Sequence, residues 1–130
     1  MNELTCLELS VILWLAHVLT QALIARGEFG DDYLFTPRDK KVTPKGLNVG
    51  RATRALHNYI ENYVPFVAVD LALIATGHTG GIGAIGATIW IIARIIYLPI
   101  YIMGIKYVRT ACWAIAAVGL LMMLGRLAGY

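Results

Sequence analysis

Charge is scarce in this sequence: only 15% of its 130 residues are Asp, Glu, Lys or Arg, and only two are cysteines. So little charge beside an apolar fraction of 58% excludes an ordinary soluble domain of this length, because small domains bury a smaller share of their surface than large ones. Lipid is the simplest place to put that surface. The net charge of +3 is small and comes without a basic tract that could follow a phosphate backbone, which argues against nucleic acid as a partner. No spacing of His, Cys, Asp or Glu resembles a metal site. The Gly81-x-Gly83 segment lacks the preceding strand that a nucleotide fold requires. Met1-Asn2-Glu3 lacks the positive start of a signal peptide, and the apolar run behind it exceeds a typical signal core, so a retained helix is expected.

What the sequence does contain is four apolar stretches, Leu4 to Ala25, Ala55 to Thr76, Ile82 to Gly104 and Val108 to Gly129. Each has about the 20 residues that a helix needs to cross roughly 30 Å of hydrocarbon. The expected fold is therefore all-α, an integral membrane four-helix bundle forming a single domain over residues 1–130. The main polar loop, Arg26 to Gly50, carries Arg26, Arg38, Lys40, Lys41 and Lys45, and the link between helices three and four carries Lys106 and Arg109. The turn at Gly77 to Gly81 has neither Lys nor Arg. The positive-inside rule places the two basic connections in the cytoplasm and both termini outside. Cys6 and Cys112 then fall near opposite membrane faces, which disfavours a disulfide between them.

Ionisable side chains within a bilayer are costly, so their positions call for a reason. At ~100° per residue, Arg51, Arg54, Asn58, Glu61 and Pro65 fall within about 80° of one another on helix two. His57 lies at the edge of this stripe. One reading has Arg51 and Arg54 snorkelling to headgroups while Asn58 and Glu61 serve helix packing. Glu61, nearly three turns inside and short, favours binding or assembly instead. Helix three carries a second stripe, Trp90, Arg94, Tyr97 and Tyr101, in which an arginine beside two phenols suits an anion or thiolate. The alternative assigns the tyrosines, with Tyr107, to an interfacial aromatic belt. His17, with Gln21 one turn on, reads as a helix–helix hydrogen bond, and Gly83, Gly86, Gly119 and Gly125 as points of close helix approach.

The string Arg51-Ala-x-Arg54-Ala-x-x-Asn58-x-x-Glu61-x-x-x-Pro65-Phe66 resembles the signature of the MAPEG family, membrane-associated proteins of eicosanoid and glutathione metabolism. Ala93-Arg94-x-x-Tyr97-x-x-x-Tyr101-x-x-Gly104 is similar to the family's third-helix motif. The resemblance implies a homotrimer with glutathione held between subunits near the cytoplasmic face. It assigns glutathione binding to Arg54, Asn58 and Glu61, with Arg51 matching an upstream arginine and Arg26 another ligand-binding one. Tyr97 and Tyr101 match tyrosines near the tripeptide, and His57 stands where some members carry a further arginine. The family's thiol-activating arginine corresponds to Arg109, which Thr110 follows, with Arg94 as an aid.

The implied function is a membrane glutathione transferase or peroxidase of microsomal type, acting on hydrophobic electrophiles with glutathione as co-substrate and no metal. A second reading is a non-catalytic lipid-binding or scaffold protein of the same family. A third is a small four-helix multidrug transporter, which depends on a membrane-embedded carboxylate in helix one, whereas Glu3 and Glu8 lie near that helix's end.

Overall fold

Asn2 starts the first helix by accepting the Thr5 backbone N–H on its side-chain oxygen at 2.8 Å, satisfying one of the free amides that every helix start leaves. The computed structural model describes residues 1–130, all-helical and without strands. Helix α1 spans Glu3–Phe29, α2 is a single turn at Asp31–Leu34, α3 spans Asn48–Ala75, α4 Gly81–Met103 and α5 Lys106–Leu127. α1 therefore runs four residues past the expected Ala25, because nothing in Arg26 to Phe29 breaks it before Gly30, whose φ of 78° stops the helix.

The loop between α2 and α3 is pinned to the end of α1. The Glu28 carboxylate accepts the backbone N–H groups of Lys45 and Gly46, and Arg26 pairs with Asp31 at 2.7 Å. Three of the four long helices, α1, α4 and α5, are both long and apolar enough to cross a membrane. α3 has the length, about 42 Å at 1.5 Å per residue for its 28 residues, but its first half carries the polar stripe and dilutes its apolar character. The four crossings expected from the sequence are thus met in length by four helices and in composition by three.

α3 and α4 form the centre of the bundle. α1 packs on both from one side and α5 on both from the other, so α1 and α5 do not meet. The core between them is aromatic: Phe66 of α3 stacks on Trp90 of α4 with centroids 4.0 Å apart, and Tyr59 meets the edge of Trp90 at 5.7 Å. Such pairs add about 0.5–1.5 kcal/mol each beyond the area they bury. The Tyr59 hydroxyl donates to the Ser10 carbonyl at 2.6 Å, tying α3 to α1. His17 packs its ring on Tyr59 at 4.4 Å and bonds through Nδ1 to the Leu13 carbonyl of its own helix. It contacts the neighbouring helix by stacking and not by a hydrogen bond.

Gly86 and Gly119 let α4 and α5 approach backbone to backbone, since a Cβ on either would run into the carbonyl oxygen of the other. Gly83 likewise faces the Arg126 and Leu73 side chains, while a Cβ at Gly125 would make only ordinary contact. Outside the core, Ile12, Leu19 and Leu23 on α1 and Ile115, Val118 and Leu121 on α5 are exposed, an apolar outer surface suited to lipid.

Two stability outcomes follow from these contacts. Gly119→Val should lower the thermal midpoint in detergent, at a cost of about 1–3 kcal/mol, because neither backbone can give way. Asp70 is fully buried and neither of its carboxylate oxygens has a partner. A buried carboxyl group without a hydrogen-bond partner is destabilising, so the isosteric Asp70→Asn should hold or raise the midpoint; a clear drop would show that the carboxyl group itself is needed.

Candidate functional site

The first half of α3 points its polar residues at the tyrosines of α4 and the first turn of α5. There they enclose a cavity of about 540 Å³ lined by Thr53, Arg54, His57, Asn58, Glu61, Tyr97, Tyr101, Arg109, Thr110 and Trp113. Helical spacing accounts for the α3 contribution, because residues three and four apart stack along one face. Tyr97 and Tyr101 are one turn apart on α4 with ring centroids 5.5 Å from each other, and the Arg109 guanidinium sits 5.0 Å above the Tyr101 ring. That cation–π contact reaches from α5 to α4 and aims Arg109 at the cavity wall.

The donors and acceptors of this cavity are mixed in sign. Arg54 and Arg109 supply two guanidinium groups and Glu61 the one carboxylate. His57 Nε2 lies 3.3 Å from Glu61 Oε1 one turn along the helix, both side chains well exposed. An exposed pair of this kind contributes little to stability, so both groups remain available to a ligand.

Seven of the residues singled out in the sequence come together here: Arg54, His57, Asn58, Glu61, Tyr97, Tyr101 and Arg109. The other three are elsewhere in the chain. Arg94 is fully buried beneath the cavity and does not line it. Its Nη1 donates to Asn58 Oδ1 at 2.9 Å, and its guanidinium lies 5.5 Å from the Trp90 ring and 5.2 Å from that of Tyr97. In this position it orients Asn58 from behind. Arg51 lines an adjoining cavity and donates Nη1 to the Ile102 carbonyl at 3.0 Å. Arg26 is exposed at the end of α1, paired with Asp31, and lines neither cavity of its own chain.

Thr53 and Trp113 were not singled out from the sequence. Trp113 stands one turn after Arg109, so the periodicity that places Arg109 also places its indole on the wall. Thr53 adjoins Arg54 and bonds its hydroxyl to the Val49 carbonyl at 2.8 Å.

The Arg94–Asn58 bond makes a measurable prediction. Asn58→Ala leaves the buried guanidinium without its one side-chain acceptor and should cost on the order of 2 kcal/mol or more. Asn58→Asp supplies a carboxylate at the same place and should restore the thermal midpoint relative to Asn58→Ala; two equal midpoints would show that the bond carries no weight.

The comparisons with known proteins bear on the family as a whole. No curated protein and no solved structure matches the chain. The model of the MAPEG family matches residues 5–129, nearly the whole chain, both polar stripes and the apolar helices that carry them. The chain therefore belongs to the MAPEG family and is a membrane protein of the group concerned with glutathione and eicosanoid metabolism.

Proposed function

We propose that this protein is a glutathione-dependent membrane transferase or peroxidase acting on hydrophobic electrophiles, with the cavity between α3, α4 and α5 as its glutathione site. The observation that carries this reading is the convergence of Arg54, Asn58, Glu61, Tyr97, Tyr101 and Arg109 on one space. Its volume falls within the range of small-molecule sites. Glutathione is a tripeptide with two carboxylates, one ammonium and one thiol. Arg54 suits a carboxylate, to which its planar guanidinium can donate two parallel bonds. Glu61 suits the ammonium, and Asn58, held by Arg94, offers an amide to the peptide backbone.

The chemical task is to hold sulfur as thiolate near neutral pH, although a free cysteine thiol has a pKa of about 8.5. Arg109 can approach the sulfur from the start of α5 and stabilises the anion without taking its proton. Tyr101, in contact with Arg109, is a second donor on the same side. The electrophile arrives from the lipid, past Trp113 and the apolar faces of α5. The α3 stripe lines an outward-facing space, which suits a homotrimer in which a neighbouring protomer closes the site. Arg26, exposed and outside the cavities of its own chain, would then serve a neighbour's.

A non-catalytic, lipid-binding reading is favoured by one observation. Arg94, the guanidinium of the third-helix motif, is buried in a structural role and unavailable to a thiolate.

Purified protein given glutathione and a lipophilic electrophile such as an activated aryl halide should turn over. Arg109→Ala should lower kcat on the order of a hundredfold while glutathione still protects the protein thermally. Glu61→Gln and Arg54→Ala should instead weaken that protection. Absence of turnover together with absence of protection rules out the enzyme reading.

A further inference from the structure

Beside the proposed glutathione site lies a second cavity, of about 450 Å³, whose charge is all of one sign. Arg51, Arg54, Lys106 and Arg109 line it, and no carboxylate does. The chain's two ion pairs are Arg26–Asp31 and His57–Glu61, so none of these four cations is neutralised by a partner. Two of them are also held in place. Arg51 is fastened to the Ile102 carbonyl and fits against Gly104, where a Cβ would stand only 2.6 Å from its Nη2. Gly104 also takes the left-handed conformation, φ 77°, that ends α4, so two separate demands exclude a side chain there. Arg109 rests on the Tyr101 ring.

Four like charges around one space repel each other, and an anion bound among them removes that cost. Glutathione anchored by its ammonium at Glu61 brings at most a carboxylate to this space, through Arg54 and Arg109, which both cavities share. Its ammonium needs an acidic partner, and Glu61 lines the first cavity and not this one. A lipophilic electrophile brings no charge to it.

We propose that the second cavity binds a phosphate group, either the headgroup of an anionic lipid or free phosphate, with Lys106 and Arg51 as the donors that belong to it alone. The paired N–H groups of arginine and the compact ammonium of lysine both match phosphate oxygens. The first turn of α5, which no side chain caps, adds free backbone N–H groups beside Lys106. The space lies at the turn between α4 and α5, two helices apolar enough to cross the membrane, which is the level at which lipid headgroups lie.

Lys106 is exposed and makes no hydrogen bond or ion pair, so its replacement leaves the bundle intact. The full chain in uncharged detergent is titrated with short-chain phosphatidic acid, the matching phosphatidylcholine and inorganic phosphate, reading the thermal midpoint. Phosphatidic acid should protect. Phosphatidylcholine should not, because its ammonium meets no carboxylate. Lys106→Gln should raise the concentration for half-protection about tenfold, the loss of one bond to a charged group, and Lys106→Arg should restore it. Protection by phosphatidic acid alone assigns the site to a lipid, and equal protection by inorganic phosphate assigns it to the free ion. Equal protection by both lipids, or an unchanged titration in Lys106→Gln, overturns the proposal. The inference stands apart from the glutathione reading: if phosphate protects while glutathione does not bind, the proposed function fails and this site remains.

Discussion

The cost of placing a polar group against lipid governs how this bundle is assembled. α3 carries more ionisable and amide side chains than its neighbours, and none of the three apolar helices could shelter them alone. α3 therefore lies centrally, in contact with α1, α4 and α5, and turns its polar half toward α4 and the start of α5. Arg94 meets the same constraint from the opposite side. It is buried to 0% exposure, with Asn58 accepting from Nη1 and the Trp90 and Tyr97 rings beside it, while its Nε and Nη2 have no partner. One hydrogen bond thus joins the two polar stripes and sets the floor of the cavity.

The packing of α4 on α5 works in the same direction. Gly86 and Gly119 bring the two backbones together, and that approach sets where the start of α5 falls relative to Tyr97 and Tyr101. The Arg109 guanidinium then reaches the Tyr101 ring. The contact that tightens the apolar part of the bundle therefore also positions a cation at its polar end. Between the two cavities the charge changes character, from a mixed set that includes Glu61 to a set of cations without any carboxylate. Neighbouring spaces that share Arg54 and Arg109 yet differ in sign suit ligands of different charge.

Much of this was legible in the sequence. Apolar runs of membrane length announced the helices, because lipid leaves few other ways to satisfy the backbone. The 3.6-residue repeat placed Arg54, Asn58 and Glu61 on one face, and Tyr97 and Tyr101 on another, since helical spacing is a local property. Whether Arg94 would line the cavity or lie beneath it was not legible. Its stripe is the same in either case, and the outcome depends on how far α4 is rotated against α3. The position of Arg51 was equally hidden, set by a carbonyl on a different helix, whereas the end of α1 is marked in the sequence by Gly30 and was expected four residues too early.

The sequence by itself determined which faces of which helices are polar, because side-chain direction follows from position along the helix. Only the tertiary structure decided what the Arg51 to Glu61 run divides into. His57, Asn58 and Glu61 open on one cavity, Arg51 turns to the notch at Gly104 and joins Lys106 around another, and Arg54 lines both. Residues of one helix face were divided in this way because their partners come from α4 and α5. The distance and rotation of those helices arise from packing between segments remote in the chain, which no local pattern records.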